Sequence, residues 1–537
     1  MSPWKALVFS VTLFAFTALL AATSFAQQSC ESLSRLKLPQ TTISMAVSVP
    51  AGEFPLPNAL PGNHSSVKVP AFCRVAGVIK PTADSDIRFE VWMPNRNWNG
   101  RFDGVGNGGF AGSIGYAGLA AAVRAGFAAA STDTGHAGEA TDARWALGHP
   151  QKIVDFGYRA IHLTAVTGKA IVRKFYGASP HRSYFASCSN GGRQALMEAQ
   201  RFPRDYNGII AGAPANFWTH LLASAIWISQ ATLDNPASYI PPGKLPAISH
   251  AVLAACDAQD GVKDGILNDP RQCHFNPETL LCKGADSNAC LTAPQITALK
   301  KIYAGPSNRK GEKIFPGFMP GGEPGPDGWP TWMTGPAPEK SLQYAFGTQF
   351  YSNMMFDNAK WNFRTLNFGA DTRLTDRKMG PILNATNPNL TAFKSHGGKL
   401  ILYHGWSDSA IPPLNTVNYY KSVLARMGRE STQAFVRLYM VPGMQHCGNG
   451  PGPSSFGAWP SADANPKDSM FGALEQWVEH GVAPRTIIAT KNAQPWNPAS
   501  AVEMTRPLCP YPEIAKYKGS GDIHQAANFF CTIEQKQ

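Results

Sequence analysis

Hydrophobic and polar residues follow two alternating periods along the chain. Residues 86–94 (DIRFEVWMP) alternate as a half-buried β-strand does, whereas residues 155–177 repeat apolar positions at helical spacing and end at a glycine. An apolar strand at 183–188, a helical pattern after residue 192 and a second apolar strand at 206–214 follow. Strands that alternate with helices predict an α/β fold with a mostly parallel sheet and helices on both faces.

The strand–helix alternation weakens between residues 216 and 395 and then recovers. The weak stretch includes the turn-rich segment PGFMPGGEPGPDGWP, while residues 397–408 (GGKLILYHGWSD) and 434–448 (AFVRLYMVPGMQHCG) again resemble buried strands followed by loops. Since the sheet pattern resumes, we predict one α/β domain in two parts, 27–215 and 396–537, with an inserted domain at 216–395.

The first 26 residues have the pattern of a signal peptide. Lys5 precedes an apolar run, and Ser24 and Ala26 form a small-residue cleavage site. A retained membrane anchor is the alternative, but the run is short and no later segment has the roughly 20 apolar residues of a span. We therefore expect a secreted or periplasmic protein with no membrane attachment after cleavage.

The chain carries a formal net charge of +12, but the basic residues form no run of five or six. This distribution is typical of a solvated surface, so no nucleic-acid partner is expected. The sequence does not indicate an oligomeric state.

The ten cysteines all follow the predicted cleavage site, and cysteines of exported proteins tend to form disulfides. The absence of CxxC and HxxxH spacing argues against zinc and against a thiol oxidoreductase. Sequence alone does not fix the connectivity, although three pairs are close in sequence. The cysteines are Cys30, Cys73, Cys188, Cys447 and the three local couples Cys256 with Cys273, Cys282 with Cys290, and Cys509 with Cys531.

The stretch SCSNGG, between a predicted strand and a predicted helix, resembles the nucleophile elbow G-x-S-x-G. Ser189 is the candidate nucleophile, Gly191 supplies the second small position, and Ser187 replaces the first glycine. Ser187 as nucleophile is the alternative. In this fold the acid and the histidine follow the serine in that order.

Asp408 and His446 each follow a predicted strand, in the order that the elbow requires. Both have a structural alternative, as a capping acid and a loop histidine. Cys188 precedes the candidate serine and Cys447 follows the candidate histidine. If serine and histidine touch, their neighbours come within disulfide reach, so we predict a Cys188–Cys447 bridge.

These residues resemble the tannase and feruloyl esterase family of α/β-hydrolases, which also includes monohydroxyethyl-terephthalate hydrolases. The resemblance covers nearly the whole mature chain and includes WNGRF, GNGG, SNGGRQALMEAQRFPRDYNGIIAGAPA, CDAQDGVKDGILNDPRQC, LILYHGWSDSAIPP and MVPGMQHCGNGPG. It implies Ser189 as nucleophile, Asp408 as acid and His446 as base. It also implies that the insertion forms a lid domain.

An oxyanion hole in this fold takes one N–H donor from the residue after the nucleophile, here Asn190, and another from the glycine loop, at Gly108 or Gly109. A phosphate cradle is disfavoured because the loop has no Walker lysine. Two residues are candidates for contact with the substrate: Trp361 in the lid, which is the nearest match to the family's pocket pattern, and Ile411, which follows Asp408 closely in the sequence. Three lid arginines are candidates for binding a substrate carboxylate: Arg364, Arg373 and Arg377.

Acidic residues cluster among glycines in CDAQDGVKDGILND. Oxygen ligands of this kind suit a hard cation, although a plain acidic turn explains the pattern equally well, and the spacing is not that of an EF-hand. The family resemblance implies a structural calcium in this loop. The predicted ligands are Asp257, Asp260 and Asp264, with the backbone carbonyls of Val262 and Ile266.

The leading hypothesis is a serine carboxylesterase that acts on esters of hydroxycinnamic or gallic acids, either free or attached to plant polysaccharide or tannin. The alternative within the same fold is a hydrolase of terephthalate monoesters. The alternative from another class is a non-catalytic surface- or carbohydrate-binding protein on a hydrolase fold.

Overall fold

The computed structural model describes residues 27–57, 65–495, 497 and 499–533. The predicted signal peptide, residues 1–26, lies outside them. Within the described part of the chain, no helix combines the length and the apolar character needed to cross a membrane.

The described strands differ in length and fall into one large sheet and three small hairpins. They are β1 (Thr41–Val49), β2 (Gly52–Pro55), β3 (Ser66–Val69), β4 (Phe72–Ile79), β5 (Ile87–Pro94), β6 (Arg101–Val105), β7 (Ala128–Thr132), β8 (Arg182–Cys188), β9 (Gly208–Gly212), β10 (Lys399–Gly405), β11 (Val436–Val441), β12 (Ile487–Asn492), β13 (Val502–Leu508), β14 (Ile514–Tyr517) and β15 (Phe529–Thr532).

The described α-helices lie between these strands and in the long segment that separates β9 from β10. They are α1 (Tyr116–Arg124), α2 (Pro150–Val154), α3 (Ala160–Tyr176), α4 (Asn190–Arg201), α5 (Trp218–Leu233), α6 (Leu245–Cys256), α7 (Ala293–Ala304), α8 (Trp329–Trp332), α9 (Leu342–Gln349), α10 (Ala370–Leu383), α11 (Thr391–Ser395), α12 (Leu414–Met427), α13 (Arg429–Gln433) and α14 (Met470–His480).

The large sheet has the strand order β1-β4-β5-β7-β6-β8-β9-β10-β11. Neighbours from β7 to β11 pair in parallel, and the β1, β4, β5 side is antiparallel. Strands β8 and β9 are almost fully buried because helices cover both faces. The predicted α/β class with a mostly parallel sheet is confirmed.

The helical pattern predicted for residues 155–177 forms a π-helical turn over Asp155–Arg159 that continues into α3. The glycine at its end, Gly177, adopts φ +73° as the helix C-cap, a conformation that glycine takes without strain. Residues 213–398, all described, contribute no strand to the large sheet; they form helices and loops above its carboxyl edge. The domain boundaries drawn from sequence remain a prediction.

All ten cysteines are paired. The three local couples form disulfides as the sequence spacing suggested, Cys30 bonds Cys73, and Cys188 bonds Cys447 with 6.0 Å between their Cα atoms.

Candidate active site

Ser189 lies at the sharp turn between β8 and α4. Its backbone has φ +64° and ψ −127°, a conformation that side chains rarely adopt and that is held by a hydrogen bond from its N–H to the Gly212 carbonyl. A Cβ atom on Gly191 would lie 1.8 Å from the Ser187 hydroxyl oxygen, so this position requires glycine. The Ser187 hydroxyl is packed inside the turn, whereas the Ser189 hydroxyl projects from it.

Ser189, His446 and Asp408 form one hydrogen-bonded line. His446 Nε2 lies 2.9 Å from Ser189 Oγ, and its Nδ1 lies 2.9 Å from Asp408 Oδ2. The three residues follow β8, β11 and β10, which pair in parallel through β9, so their loops meet at one edge of the sheet. The arrangement is that of a hydroxyl beside a base that an acid orients.

Asp408 is buried and fully partnered. Its Oδ1 accepts the N–H groups of Ala410 at 2.7 Å and Ile411 at 2.9 Å. Burial alone would raise the pKa of Asp408, but His446 and His404 outweigh it and hold the pKa below its usual range. The carboxylate is therefore ionised at neutral pH and fixes the Nδ1–H tautomer of His446.

His404 is a second histidine against the same carboxylate. It is fully buried in β10, with Nε2 at 3.1 Å from Asp408 Oδ2 and 3.0 Å from the Ile411 carbonyl, and Nδ1 at 2.7 Å from the Thr416 hydroxyl. Since a carbonyl only accepts, His404 Nε2 carries a proton. These contacts hold His404 in place against Asp408, so His404 positions the carboxylate.

The Cys188–Cys447 disulfide joins the residue before the serine to the residue after the histidine. It fixes the elbow to the histidine loop directly behind the hydroxyl and the imidazole. Cys447 itself has φ +62°, so the backbone of both loops leaves the ordinary regions at this point.

Among the predicted oxyanion residues, Asn190 and Gly109 both line a cavity beside Ser189, and Gly108 is not among its lining residues. Asn190 is the first residue of α4, so its N–H has no intrahelical acceptor. Gly109 has φ +51°, and a Cβ atom there would lie 2.3 Å from the Ala140 carbonyl oxygen. These two N–H groups are the candidate donors to a developing oxyanion.

Two buried contacts that the sequence analysis missed hold this loop and helix in place. Gln194 and Asn107 bond reciprocally: the Asn107 N–H donates to Gln194 Oε1 at 3.0 Å, and Gln194 Nε2 donates to Asn107 Oδ1 at 3.2 Å. Arg193 donates to Asn190 Oδ1 at 2.8 Å and to the Gly157 carbonyl. Burial lowers the pKa of Arg193 to about 9. The sequence feature that could have indicated these contacts is N-x-x-R-Q, which places three polar residues at the start of a buried helix.

The cavity beside Ser189 has a volume of about 60 Å³ and is mainly apolar. Ile411 lines it, as the sequence suggested, together with four residues that the sequence analysis did not single out: Trp218, Leu221, Trp332 and Phe346. The Trp332 ring meets the His446 ring edge-on at 4.9 Å.

Trp361, the predicted pocket aromatic, lies elsewhere. It stacks on Tyr351 at 5.2 Å and on Phe356 at 5.6 Å, and it does not line the cavity beside Ser189. The pattern around it therefore reflects packing of the inserted segment, and Trp332 occupies the position next to the histidine.

None of the three candidate arginines lines the cavity beside Ser189. Arg364 lies 3.7 Å from Asp234 and 4.0 Å from Glu339, and Arg373 and Arg377 are exposed on α10. The residues described around this cavity thus offer no cation to a substrate carboxylate.

The acidic loop of residues 257–266 is a separate site. Asp260, Val262, Asp264 and Ile266 line a cavity of about 10 Å³. Asp257 is not among the lining residues; its carboxylate accepts the Gly265 N–H at 3.1 Å.

The charge balance of this loop fits a hard cation. Burial, with Asp264 and Asp257 adding to it, raises the pKa of Asp260 to about 6, and burial raises that of Asp264 although Arg506 donates to its carboxylate. Arg506 also lines this cavity and is the cationic partner of Asp264. One arginine does not balance three carboxylates, and oxygen donors with unbalanced negative charge are those that calcium prefers.

Comparison with known proteins gives consistent relatives. The model of the family described as tannase and feruloyl esterase matches residues 73–532. The chain is 45% identical to an uncharacterized esterase of Xanthomonas campestris pv. campestris, over 97% of this chain and 94% of that one. It is 35% identical to the mono(2-hydroxyethyl) terephthalate hydrolase of Piscinibacter sakaiensis, over 88% and 87%. The crystal structure of feruloyl esterase B from Aspergillus oryzae superposes with a TM-score of 0.84 at 30% identity, over 94% and 99%.

Proposed function

The chain belongs to the tannase and feruloyl esterase family and is a carboxylic ester hydrolase, and from this premise we propose that it cleaves esters of aromatic acids with Ser189 as nucleophile, His446 as base and Asp408 as orienting acid. The observation that carries the proposal is the unbroken hydrogen-bonded line from Ser189 through His446 to Asp408. A non-catalytic binding protein has no need of that line.

In the proposed reaction, Ser189 Oγ attacks the ester carbonyl carbon while His446 Nε2 takes the hydroxyl proton. The N–H groups of Asn190 and Gly109 donate to the oxyanion. His446 then returns the proton to the departing alcohol, which leaves an acyl-enzyme on Ser189. A water molecule attacks this ester with His446 again as base, and the acid is released as Ser189 regains its proton.

The lining of the cavity beside Ser189 supports a neutral aromatic acyl group. Trp218, Trp332 and Phe346 offer ring faces and edges, while the candidate arginines lie outside the cavity. Binding a carboxylate among apolar side chains without a cation costs several kcal/mol. We therefore favour hydroxycinnamic or gallic esters over terephthalate monoesters, even though one relative is named as a hydrolase of such a monoester.

A hydrolysis panel tests the acyl preference. We expect kcat/KM for methyl ferulate or methyl gallate to exceed that for mono(2-hydroxyethyl) terephthalate by at least about tenfold, the equivalent of about 1.4 kcal/mol. Dimethyl and monomethyl terephthalate form a pair that differs at one position, which is a neutral methyl ester in the first and a carboxylate in the second. A preference for the monomethyl ester would favour the terephthalate alternative instead.

We also propose that the loop of residues 257–266 holds a structural calcium through Asp257, Asp260, Asp264 and the carbonyls of Val262 and Ile266. The raised pKa of Asp260 and the ion-sized cavity support this proposal. Export through the predicted signal peptide, to the periplasm or outside the cell, remains part of the same proposal, and the five disulfides are consistent with it.

A further inference from the structure

A second and larger cavity, of about 730 Å³, lies under the N-terminal end of α1. We call it the α1 cavity. Gly106 and Ser187 are part of its wall, so it adjoins the glycine loop and the elbow, but its lining shares no residue with the cavity beside Ser189. It has the size that small-molecule sites usually have.

Asp103 is a polar residue of this cavity whose burial is not matched by hydrogen bonds among the described residues. It lies in β6 between Ala129 of β7 and Tyr184 of β8, at the centre of the sheet, and only 4% of its surface is exposed. Its Oδ1 has no hydrogen-bond partner among the described residues. A buried polar atom without a partner costs about 1–3 kcal/mol, so a partner of some kind is expected.

The neighbouring polar groups form hydrogen bonds with one another and none with Asp103. Arg101 donates to Glu475 at 2.9 Å and to Glu479 at 2.7 Å, and the Tyr184 hydroxyl donates to Glu479 at 2.6 Å. Burial, followed by the nearby charge of Glu475, raises the pKa of Asp103 well above that of an ordinary carboxyl group. Burial therefore disfavours the charged form of this side chain, and a neutral carboxyl group both donates and accepts hydrogen bonds.

Apart from Asp103 the lining is largely apolar. Val105, Ala117 and Ala121 form part of the wall, and aromatic rings are supplied by Tyr116 and by Trp459, which is 42% exposed. Ser65 and Ser187 add two hydroxyl groups to the lining. A mainly apolar cavity with a few polar groups is the usual form of a site for a small, mainly apolar ligand.

We propose that the α1 cavity binds an apolar small molecule that carries a hydroxyl group, held by a hydrogen bond between that hydroxyl and Asp103 and by contact with Tyr116 and Trp459. A hydroxyl group both donates and accepts, which matches a neutral carboxylic acid. The rest of the ligand replaces water against the apolar wall.

Three probes separate the parts of this proposal: 4-propylphenol, propylbenzene, which lacks the hydroxyl, and 4-propylbenzylamine, which is a cation. Binding to the intact enzyme is measured by ligand-detected NMR and calorimetry. We expect 4-propylphenol to bind more tightly than either of the others. Undetectable binding of the phenol, equal binding of propylbenzene, or tighter binding of the amine would each overturn the proposal.

Matched variants locate the site. Ala121→Phe fills the α1 cavity and should abolish phenol binding, whereas Val166→Phe, which also introduces an aromatic ring but on the exposed surface of α3, should not. Leu221→Trp narrows the cavity beside Ser189 and should also leave phenol binding unchanged. Loss in Leu221→Trp with retention in Ala121→Phe would place the probe beside Ser189 and refute the proposal.

The role of Asp103 has its own pair of variants. Asp103→Leu should weaken phenol binding about tenfold, the equivalent of one buried hydrogen bond, without weakening propylbenzene binding. Asp103→Asn keeps a donor and an acceptor and should retain the phenol. Thermal melting of each variant shows whether it is folded, and the Asn variant still tests the hydrogen bond if the Leu variant does not fold. An equal loss of both probes in Asp103→Leu would contradict the hydrogen bond.

Discussion

The Ser189 site contains a buried carboxylate, Asp408, and the acidic loop contains half-buried ones, and the two environments have opposite effects on these groups. Asp408 receives two backbone N–H groups and contacts two histidines, and its pKa is lowered. Asp260 receives one backbone N–H group, stands among other carboxylates, and its pKa is raised to about 6. The first site is organised by the chain alone, whereas the second has three carboxylates and one paired arginine, Arg506, and so keeps negative charge that the proposed cation would neutralise.

This difference predicts that mutations at the two sites affect different properties of the enzyme. Changes at the Ser189 site should lower the reaction rate and leave stability nearly unchanged, because the reacting groups are already held in place. Changes at the acidic loop should lower stability and leave the rate nearly unchanged, because the proposed cation would act on the fold.

Removing the nucleophile has the largest expected effect. Ser189→Ala should lower kcat by about 10⁶-fold, as for other enzymes of this kind, with an unchanged melting temperature. The matched control is Ser187→Ala, two residues earlier, whose hydroxyl is packed against Gly191. If Ser187→Ala were the inactive variant, the assignment of the nucleophile would be wrong.

Replacing the orienting acid, Asp408, should have the second-largest effect. Asp408→Asn should lower kcat by about 10⁴-fold, because an amide no longer holds His446 in the required tautomer. Asp376→Asn is the control, since Asp376 also bonds a histidine, His220, at 2.9 Å but lies outside the site. Comparable losses in the two variants would show that any histidine–carboxylate pair in this fold has the same effect.

The disulfide behind the site should matter for rate more than for stability. The double variant Cys188→Ala, Cys447→Ala should remain folded but lose about 10²-fold in kcat, since a shift of about 1 Å between nucleophile and base costs that much. Cys282→Ala with Cys290→Ala removes a half-buried bridge in the inserted segment and should leave the rate unchanged. A stable, fully active variant without Cys188 and Cys447 would refute this prediction.

Chelation should have the smallest effect on the rate. Removing the proposed calcium from a site that was saturated about 100-fold above its Kd should cost about 2.7 kcal/mol, which lowers the melting temperature of a chain of this length by about 2–3 °C. Hydrolysis at room temperature should change little. The double variant Asp260→Asn, Asp264→Asn should melt at the same temperature with and without chelator; a chelator response in this variant would place the ion elsewhere.

The parts of the molecule that sequence predicts best depend on local pattern. The strands and helices around Ser189, and the positions of Asp408 and His446 after β10 and β11, follow from periodicity and from the edge that parallel strands share. The adjacent cysteines then indicated that two of these loops meet.

The cavity beside Ser189 was predicted less well because its wall is assembled from distant segments. Trp332 reaches His446 from α8, while Trp361, which belongs to a promising aromatic run, stacks on Tyr351 instead. No periodicity distinguishes those two tryptophans. Asp103 gives no signal either, since its isolation from donors depends on Arg101 bonding two glutamates about 375 residues away.

The most direct test of the Ser189 assignment is covalent labelling with a serine-directed fluorophosphonate, followed by peptide mapping. We expect one adduct, on Ser189, in the wild type and in Ser187→Ala, and none in Ser189→Ala. An adduct on Ser187, or an active enzyme that takes no label, would contradict the account.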